Sequence, residues 1–522
     1  MHLITSGAFV ATELQSEFGP VPPAFLPVGN RRLFHHQLAL IPEGEAVAMT
    51  LPERFRPGPF DLEALQQRGV QLLYLPEHLS LGQAVVYALN LLELEPEESL
   101  TLLHGDTLFD QLPEGVDRIG ISQVEDNYDW AEYHPESGRI SHCDVMIPPS
   151  GDLIVNGFFH FSRPRTLVRE ITIAGGSFIE GLNGYHRSVG LSPVRCSDWY
   201  DFGHCHTYYQ SKSRMTTQRA FNEMRIEEQV VTKASRKCHK LAAEANWFQS
   251  LPGSMKLYSP VLLDAGKAGE LFEYRIEYLH LTALNELYVF SRLPAFAWDK
   301  VLRACCRFLD KARSHQVESK RTLQNLFQDK TAQRLAQFDA PCDLDEPMII
   351  NGEVRPSIRE LAALSAQALP KDDGRQNLLH GDLCFSNILY DFRTANIKVI
   401  DPRGLDGQDN PSIYGHSFYD IAKLAHSIMG LYDVIVAGYF KATLDGQSLD
   451  FSVAENSERN KVSDAFCALM ATHFGLTRSQ LCAMQVQLFL SMLPLHSDRP
   501  DRQLGFIGNA YRLYDQITGA QA

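Results

Sequence analysis

The run His380-Gly381-Asp382-Leu383-Cys384-Phe385-Ser386-Asn387 is followed by the apolar stretch Ile397-Lys398-Val399-Ile400, which delivers Asp401. Phosphoryl transfer requires a carboxylate near the attacking hydroxyl, together with oxygen ligands for a magnesium ion that offsets triphosphate charge. Asp382, Asn387 and Asp401 can supply these oxygens. A loop that holds an Asp and an Asn five residues apart, then a hairpin-like return carrying a second Asp, can converge three donors on one site. A His-Gly-Asp tripeptide alone reads equally well as a strand end with a polar turn. The weight comes from order: Lys233, Glu244, His380, Asp382, Asn387, Asp401 and then Tyr419-Asp420-Ile421-Ala422-Lys423-Leu424 follow one another at workable separations.

The positioning elements are legible in outline. Lys233 lies in the strand-like VVTKAS and Glu244 in the helix-like KLAAEANWF, types and order that fit an ion pair, although a surface salt bridge reads the same way. Residues 295–345 repeat apolar positions at helical spacing, as in WDKVLRACCRFLDKARSHQV, and 411–522 is again largely helical in pattern. In the first half a short buried strand over residues 1–10 and the segments LLYLP, SLTLLHGD, RIGISQV and LIVNGFFHF alternate with helical or turn-like stretches, which predicts a mainly parallel α/β sheet. The polar run QSKSRMTTQRAFNEM breaks that rhythm and places a domain boundary near residues 210–225.

The second half, roughly 216–522, resembles the aminoglycoside phosphotransferase and choline kinase family, whose fold is similar to that of protein kinases. The resemblance implies an α+β bilobal domain with an N-lobe over about 216–285 and a helical C-lobe over about 286–522. It implies ATP and Mg2+ as cofactors, Asp382 as catalytic base, Asn387 and Asp401 as magnesium ligands, and a Lys233–Glu244 pair that holds the α/β phosphates. His380 joins Asp382 in the catalytic loop, where it braces by hydrogen bonds, and Asp420 does similar supporting work. EYRIEYLHLTALNEL, with Glu277 and Tyr278, looks like the hinge strand that contacts adenine; an ordinary amphipathic connection reads similarly. Two departures stand out. FNEMRIEEQ contains no glycine-rich phosphate loop, and Asp401-Pro402-Arg403-Gly404 replaces the D-F-G of protein kinases, which points to a small-molecule substrate and leaves Arg403 without an assigned role.

Residues 1–215 resemble the sugar-1-phosphate nucleotidylyltransferases, an α/β fold with a Rossmann-like sheet. The matching blocks are Ala24-Phe25-Leu26-Pro27-Val28-Gly29-Asn30, Leu81-Gly82-Gln83-Ala84, His104-Gly105-Asp106, Val124-Glu125-Asp126, Asn156-Gly157 and Trp199-Tyr200-Asp201-Phe202-Gly203. The resemblance implies Asp106 and Asp201 as a metal pair, Gly7, Gly82 and Gln83 at the nucleotide, and a second nucleoside triphosphate (CTP, UTP or GTP). Singly, either Asp reads equally well as a turn cap. The N-terminal loop departs seriously from the family: Ser6–Leu14 carries no arginine, Pro23 stands where a lysine is expected, and Glu13 adds negative charge. Arg31 and Arg32 are candidates to compensate.

Composition bounds the reading. The 522 residues exceed one ordinary core and predict two or three domains. A net charge of -15 disfavours nucleic acid as a partner. No apolar run reaches a bilayer span and the start lacks a signal-peptide pattern, so the expectation is a cytoplasmic protein without membrane insertion. Ten cysteines without a C-x-x-C pair read as reduced thiols. Together these features predict a kinase acting on a small hydroxylated metabolite, a sugar or an amino alcohol, whose product the first half then activates. Such pairs look like those that make precursors of surface polysaccharide or envelope glycan. The alternative is a kinase whose degenerate first half senses a nucleotide sugar or only positions its neighbour. Asp406, Asp409 and Tyr414 are candidates for the acceptor pocket, and a homo-oligomer is left open.

Overall fold

A computed structural model describes residues 1–92, 98–124, 130–142, 153–219, 223–227, 229–318, 325–372, 374–454 and 456–519. Glu125 and Asp126 lie outside them. The chain forms two compact units, Met1–Met215 and Thr216–Ala522. Among the described residues no helix is long and apolar enough to cross a membrane, and no cysteine is joined in a disulfide.

The first unit is built on a nine-stranded mixed sheet. His2–Thr5 pairs in parallel with both Val47–Pro52 and Leu100–His104, and Val47–Pro52 pairs in parallel with Val70–Leu75. The sheet then reverses: Leu153–Phe161 runs antiparallel to Leu100–His104 and to Arg118–Gln123. The parallel expectation therefore holds for the early strands and for Ser192–Arg195, which pairs in parallel with Arg118–Gln123, while the rest of the sheet is antiparallel. Val47–Pro52 is buried at every position, as a strand covered on both faces must be. Helices Leu81–Leu92, Pro164–Ile173 and Phe178–Ser188 supply the core that seals one face, with Val85, Leu89, Leu167, Ile171 and Leu182 packed on Leu3, Leu73 and Leu102. Neighbouring parallel strands end together, so Thr5-Ser6-Gly7 and His104-Gly105-Asp106 leave the sheet at the same edge, tied by the Gly105 N–H donating to Thr5 O at 2.8 Å. The helix Cys205–Arg219 covers the first part of the polar stretch read as a boundary, and the units divide within it.

The second unit opens with a four-stranded antiparallel sheet, Glu223–Glu227, Val230–Ser235, Leu271–Glu277 and Leu262–Ala268 in spatial order, against which the helix Cys238–Ser250 packs. A helical part follows, with a hairpin, Ile388–Asp391 and Asn396–Val399, inserted ahead of Asp401. The helices Ser417–Ile428 and Arg478–Met492 are buried along most of their length, so the hairpin and its loop rest on a rigid floor. Truncating an apolar side chain in such a floor costs about 2–5 kcal/mol. A second hairpin, Phe440–Asp445 and Ser448–Val453, interrupts the stretch expected to be helical.

Candidate functional site

His380 and Gly381 begin a loop whose main chain is fixed from below. Their N–H groups donate to the two carboxylate oxygens of Asp420 at 2.7 and 2.8 Å, from the first turn of the helix Ser417–Ile428. Gly381 adopts φ +84, where a side chain is strained, and a Cβ there would lie 2.7 Å from Arg403 Cβ. The His380 ring is fully buried. Its Nδ1 accepts from the Asp382 N–H at 3.3 Å, so Nε2 carries the proton and donates to Ile400 O at 2.9 Å. Burial pushes this imidazole down to about 4, so it is a neutral brace between the loop that holds Asp382 and the segment that holds Asp401. Two more main-chain bonds close the seam: Arg403 N–H to His380 O at 2.9 Å and Ile400 N–H to Asn387 O at 3.0 Å.

Asp382, Asn387 and Asp401 are gathered on this seam. Asn387 Nδ2 donates to Asp382 O at 2.9 Å and to its Oδ2 at 3.2 Å, while the amide oxygen, the atom that could meet a cation, accepts from Ser386 Oγ at 3.3 Å. Asp401 is one of the few non-glycine residues in the left-handed region, at φ 56, and Gly404 explains the tight turn after it: a Cβ there would meet Ala243 O at 2.1 Å. That close approach binds the segment after Asp401 to the helix that carries Glu244.

Each carboxylate has a lysine. Lys233 Nζ lies 2.5 Å from Asp401 Oδ1 and 3.7 Å from Glu244 Oε2, so the expected partner is second to Asp401. Glu244 also accepts from Tyr274 Oη at 3.0 Å; burial raises its carboxyl although the Lys233 charge opposes this. Lys423 Nζ lies 2.9 Å from Asp382 Oδ1. Burial would raise Asp382, but Lys423 outweighs it and holds the carboxyl below the usual range. Sequence reading quoted Lys423 without giving it work. The available signal was its i,i+3 spacing from Asp420, which puts both on one helix face beneath the loop.

The hinge residues differ from this group. Val230–Ser235 pairs with Leu271–Glu277 so that Lys233 stands opposite Tyr274. Glu277, three residues beyond Tyr274, is on the other, exposed face, where its carboxylate accepts from the Val261 N–H at 3.3 Å. The N–H groups of Glu277 and Tyr278 bond to Val261 O and Gln229 O. Burial pushes the Tyr278 phenol up to about 12.

In the first unit Asp106 and Asp201 flank Gly203: a Cβ built there would lie 2.7 Å from Asp106 Oδ2 and 3.3 Å from Asp201 Oδ1. Burial, then the charge of Asp201, raises the Asp106 carboxyl to about 6. Asp201 accepts from Gly203 N–H at 3.2 Å, from His204 Nδ1 at 3.1 Å and from the Thr207 hydroxyl. Two cavities of about 410 and 300 Å³ meet at Asp106 and His104, and neither has a lysine or arginine among its described lining residues. Gly7 lines the smaller and Gly82 the larger. A Cβ on Gly82 would strike Gly176 O at 2.4 Å, which accounts for that glycine by packing. Gln83 lines neither: its Oε1 accepts from Ser80 N–H while Ser80 Oγ accepts from Gln83 N–H, a capping box for the helix Leu81–Leu92. Arg32 does not compensate for the missing loop cations, because it is spent on Asp61 Oδ2 at 3.3 Å and Phe25 O at 2.8 Å.

No family model matches the chain, and no curated protein does. Solved structures similar to parts of it include an aminoglycoside phosphotransferase, a thermostable mutant in its apo form, at 12% identity over 59% of this chain and 100% of that one, with a TM-score of 0.35. The inositol-1-phosphate CTP transferase from T. maritima is similar at 16% identity over 42% of this chain and 97% of that one, with a TM-score of 0.31. A glucosamine kinase is similar at 12% identity over 55% of this chain and 73% of that one, with a TM-score of 0.30. The neighbours thus include both small-molecule kinases and nucleotidyltransferases, the two classes named from the sequence.

Among the described residues no cluster of three His, Cys, Asp or Glu side chains is poised to hold a metal. Asp401, Asn387 and Asp382 nonetheless fit a hard divalent cation, since all three present oxygens and the Asn387 amide nitrogen is already committed to Asp382. Asp106 and Asp201 fit as a two-carboxylate set, and Asp201 also lines a third cavity of about 490 Å³ that carries Arg195 and Arg214.

Proposed function

We propose that residues 216–522 form a kinase-like domain that transfers the γ-phosphoryl group of ATP to a hydroxyl of a small metabolite. The observation that carries this reading is the pairing of Asp382 with Lys423 and of Asp401 with Lys233 across one hydrogen-bonded seam. Asp401 and Asn387 would hold Mg2+, which when bound offsets the charge of the triphosphate. Lys233, anchored by Glu244, binds phosphate oxygens. Asp382 accepts the proton of the acceptor hydroxyl as its oxygen bonds to the γ-phosphorus, and the bond from that phosphorus to the β–γ bridging oxygen breaks, so ADP leaves with the electron pair. Lys423 keeps Asp382 ionised and aimed. His380 and Asp420 position the loop and transfer no proton. Adenine would be met by main-chain atoms near Tyr278, with Glu277 contributing no side chain.

For residues 1–215 the lining of the two cavities that hold Asp106, where no lysine or arginine is among the described residues, favours the second reading, a domain that binds a nucleotide sugar or sugar phosphate through a divalent metal with a weakened triphosphate grip. A kinase product would be a natural ligand for it, in the supply of glycan precursors. The test is ADP release by the full chain with sugars, sugar acids, sugar phosphates and amino alcohols. Acceptor-dependent release that disappears in Asp382→Asn supports phosphotransfer, and unchanged release in that variant overturns it.

A further inference from the structure

A cavity of about 310 Å³ opens beside the catalytic loop, lined by Gly381, Arg403, Asp406, Tyr414, His416 and Tyr419 among others. It starts at the residue before Asp382, so a molecule seated in it can present a hydroxyl to that carboxylate. Among its described lining residues the charge not tied up in hydrogen bonds is a cation. Among the described residues no hydrogen bond or ion pair engages the Arg403 guanidinium. Lys330 Nζ lies 3.1 Å from Tyr419 Oη and 5.3 Å from the ring centroid. An ammonium only donates, so the phenol oxygen is the acceptor and its own hydrogen remains for a further acceptor. Asp382 is matched by Lys423. Asp406, the carboxylate among the lining residues, is spent on its own turn, accepting from Gln408 N–H at 2.7 Å, Asn410 N–H at 3.0 Å and Asn410 Nδ2 at 3.3 Å. Behind the wall, Asp372 faces His416 Nε2 at 3.4 Å.

The field has a measurable trace. Burial alone would raise the phenol of Tyr419, which is 3% exposed, yet Lys330, Lys423 and Arg403 together bring it down to about 8.

Resting on the phosphotransfer reading, we infer that the acceptor is an anion: a hydroxylated metabolite carrying a carboxylate or a phosphate, held by the Arg403 guanidinium and the Tyr419 hydroxyl while its alcohol faces Asp382. A planar guanidinium can grip either group through two parallel N–H donors. A protonated amine would face Arg403 across the same cavity and be repelled, so the site selects against cations as well as for anions.

The full chain, saturated with Mg2+ and a non-hydrolysable ATP analogue, is titrated at constant ionic strength with inorganic phosphate, glycolate, glycerol or choline while its melting temperature is read. A saturable rise with phosphate or glycolate is expected, absent in Arg403→Ala, reduced in Tyr419→Phe and partly kept in Arg403→Lys. A larger rise with choline or glycerol overturns the inference, as does an equal rise with the anions in wild type and Arg403→Ala. Ligand-free melting of the variants separates lost binding from lost folding. ADP release with glycerate, glycerol 3-phosphate, glycerol and ethanolamine then distinguishes carboxylate from phosphate. One of the two anions should exceed both others at least tenfold in kcat/KM, and Arg403→Ala should raise its KM with KM for ATP unchanged. Fastest turnover of glycerol or ethanolamine would remove the anionic acceptor and leave phosphotransfer standing. Turnover that survives Asp382→Asn would remove phosphotransfer itself.

Discussion

Two pairs of aspartates sit in this chain, and they differ in the company they keep. Asp382 and Asp401 each lie within 2.9 Å of a lysine ammonium. Asp106 and Asp201 flank one glycine, and Asp201 also holds a histidine and a threonine; no lysine or arginine is among the described lining residues of the two cavities that contain Asp106, while a further cavity lined by Asp201 carries Arg195 and Arg214. A unit charge about 4 Å from a phosphate oxygen contributes roughly 4 kcal/mol at an effective dielectric near 20, before desolvation. Several such terms decide whether four negative charges of a nucleoside triphosphate can be seated beside carboxylates. The first pair has its cations in direct contact, whereas the arginines nearest the second line only the further cavity beside Asp201.

The comparison breaks most directly at Asp382. Removing a general base lowers a rate by about 10²–10⁴-fold, so Asp382→Asn should reduce acceptor-dependent ADP release by that range while thermal melting stays near wild type. If Asp106→Asn had the same effect on that assay, the assignment of roles to the two pairs would fail. Lys423→Met sharpens the same point through pH. Lys423 holds Asp382 below its ordinary range, so its removal raises the carboxyl. A base must be ionised, so activity is lost as pH falls through its pKa, and the acid limb of the kcat/KM profile should move to higher pH in the variant. A profile that scales down without moving would show that Lys423 acts by packing alone.

The kinase-like half was more legible than its partner because its chemistry is written in short, ordered segments. The interval from Asp382 to Asn387 fits one loop, and the apolar IKVI run reads as a strand that delivers Asp401 just past its end. Lys423 escaped because a lysine within an otherwise buried helix reads as a surface residue unless the loop above it is known. Lys330 and Arg403 escaped for a related reason: their meeting around Tyr419 joins segments 73 residues apart, and no periodicity carries that information. The hairpin over 440–453 was missed although Asp445-Gly446 with alternating flanks is a hairpin signal, because helical patterns on both sides dominated the window. In the first half the early parallel strands were plain, but the antiparallel reversal at Leu153–Phe161 depends on a crossover that alternation cannot distinguish. Gly82 and Gln83 matched a nucleotide motif while serving packing and capping here, a reminder that residue type fits more than one demand.

Asp420 tests whether the two regions also differ in how firmly the acids are mounted. It accepts two buried N–H groups, and Asp420→Ala leaves both without a partner. The cost is roughly 1–3 kcal/mol for each orphaned donor, read as a lower midpoint in urea denaturation of the full chain. An unchanged midpoint would mean that the loop finds other acceptors and that Asp420 is dispensable.

The smallest expected effect is a gain. Pro23 lines the cavity that holds Gly7 and Asp106, at the position where a lysine is missing. Pro23→Lys adds one positive charge at a partly solvated wall, worth on the order of 1 kcal/mol against a phosphate, hence about a fivefold tighter apparent Kd for CTP, UTP or GTP with magnesium. The gain should shrink as salt is raised, since an exposed charge is screened over about 10 Å at 0.1 M. The Asp382→Asn background removes turnover at the other pair, so the shift can be read by calorimetry without nucleotide consumption. Tightening that is insensitive to salt, or none at low salt, would place the weakness of this cavity in its shape and not in its charge.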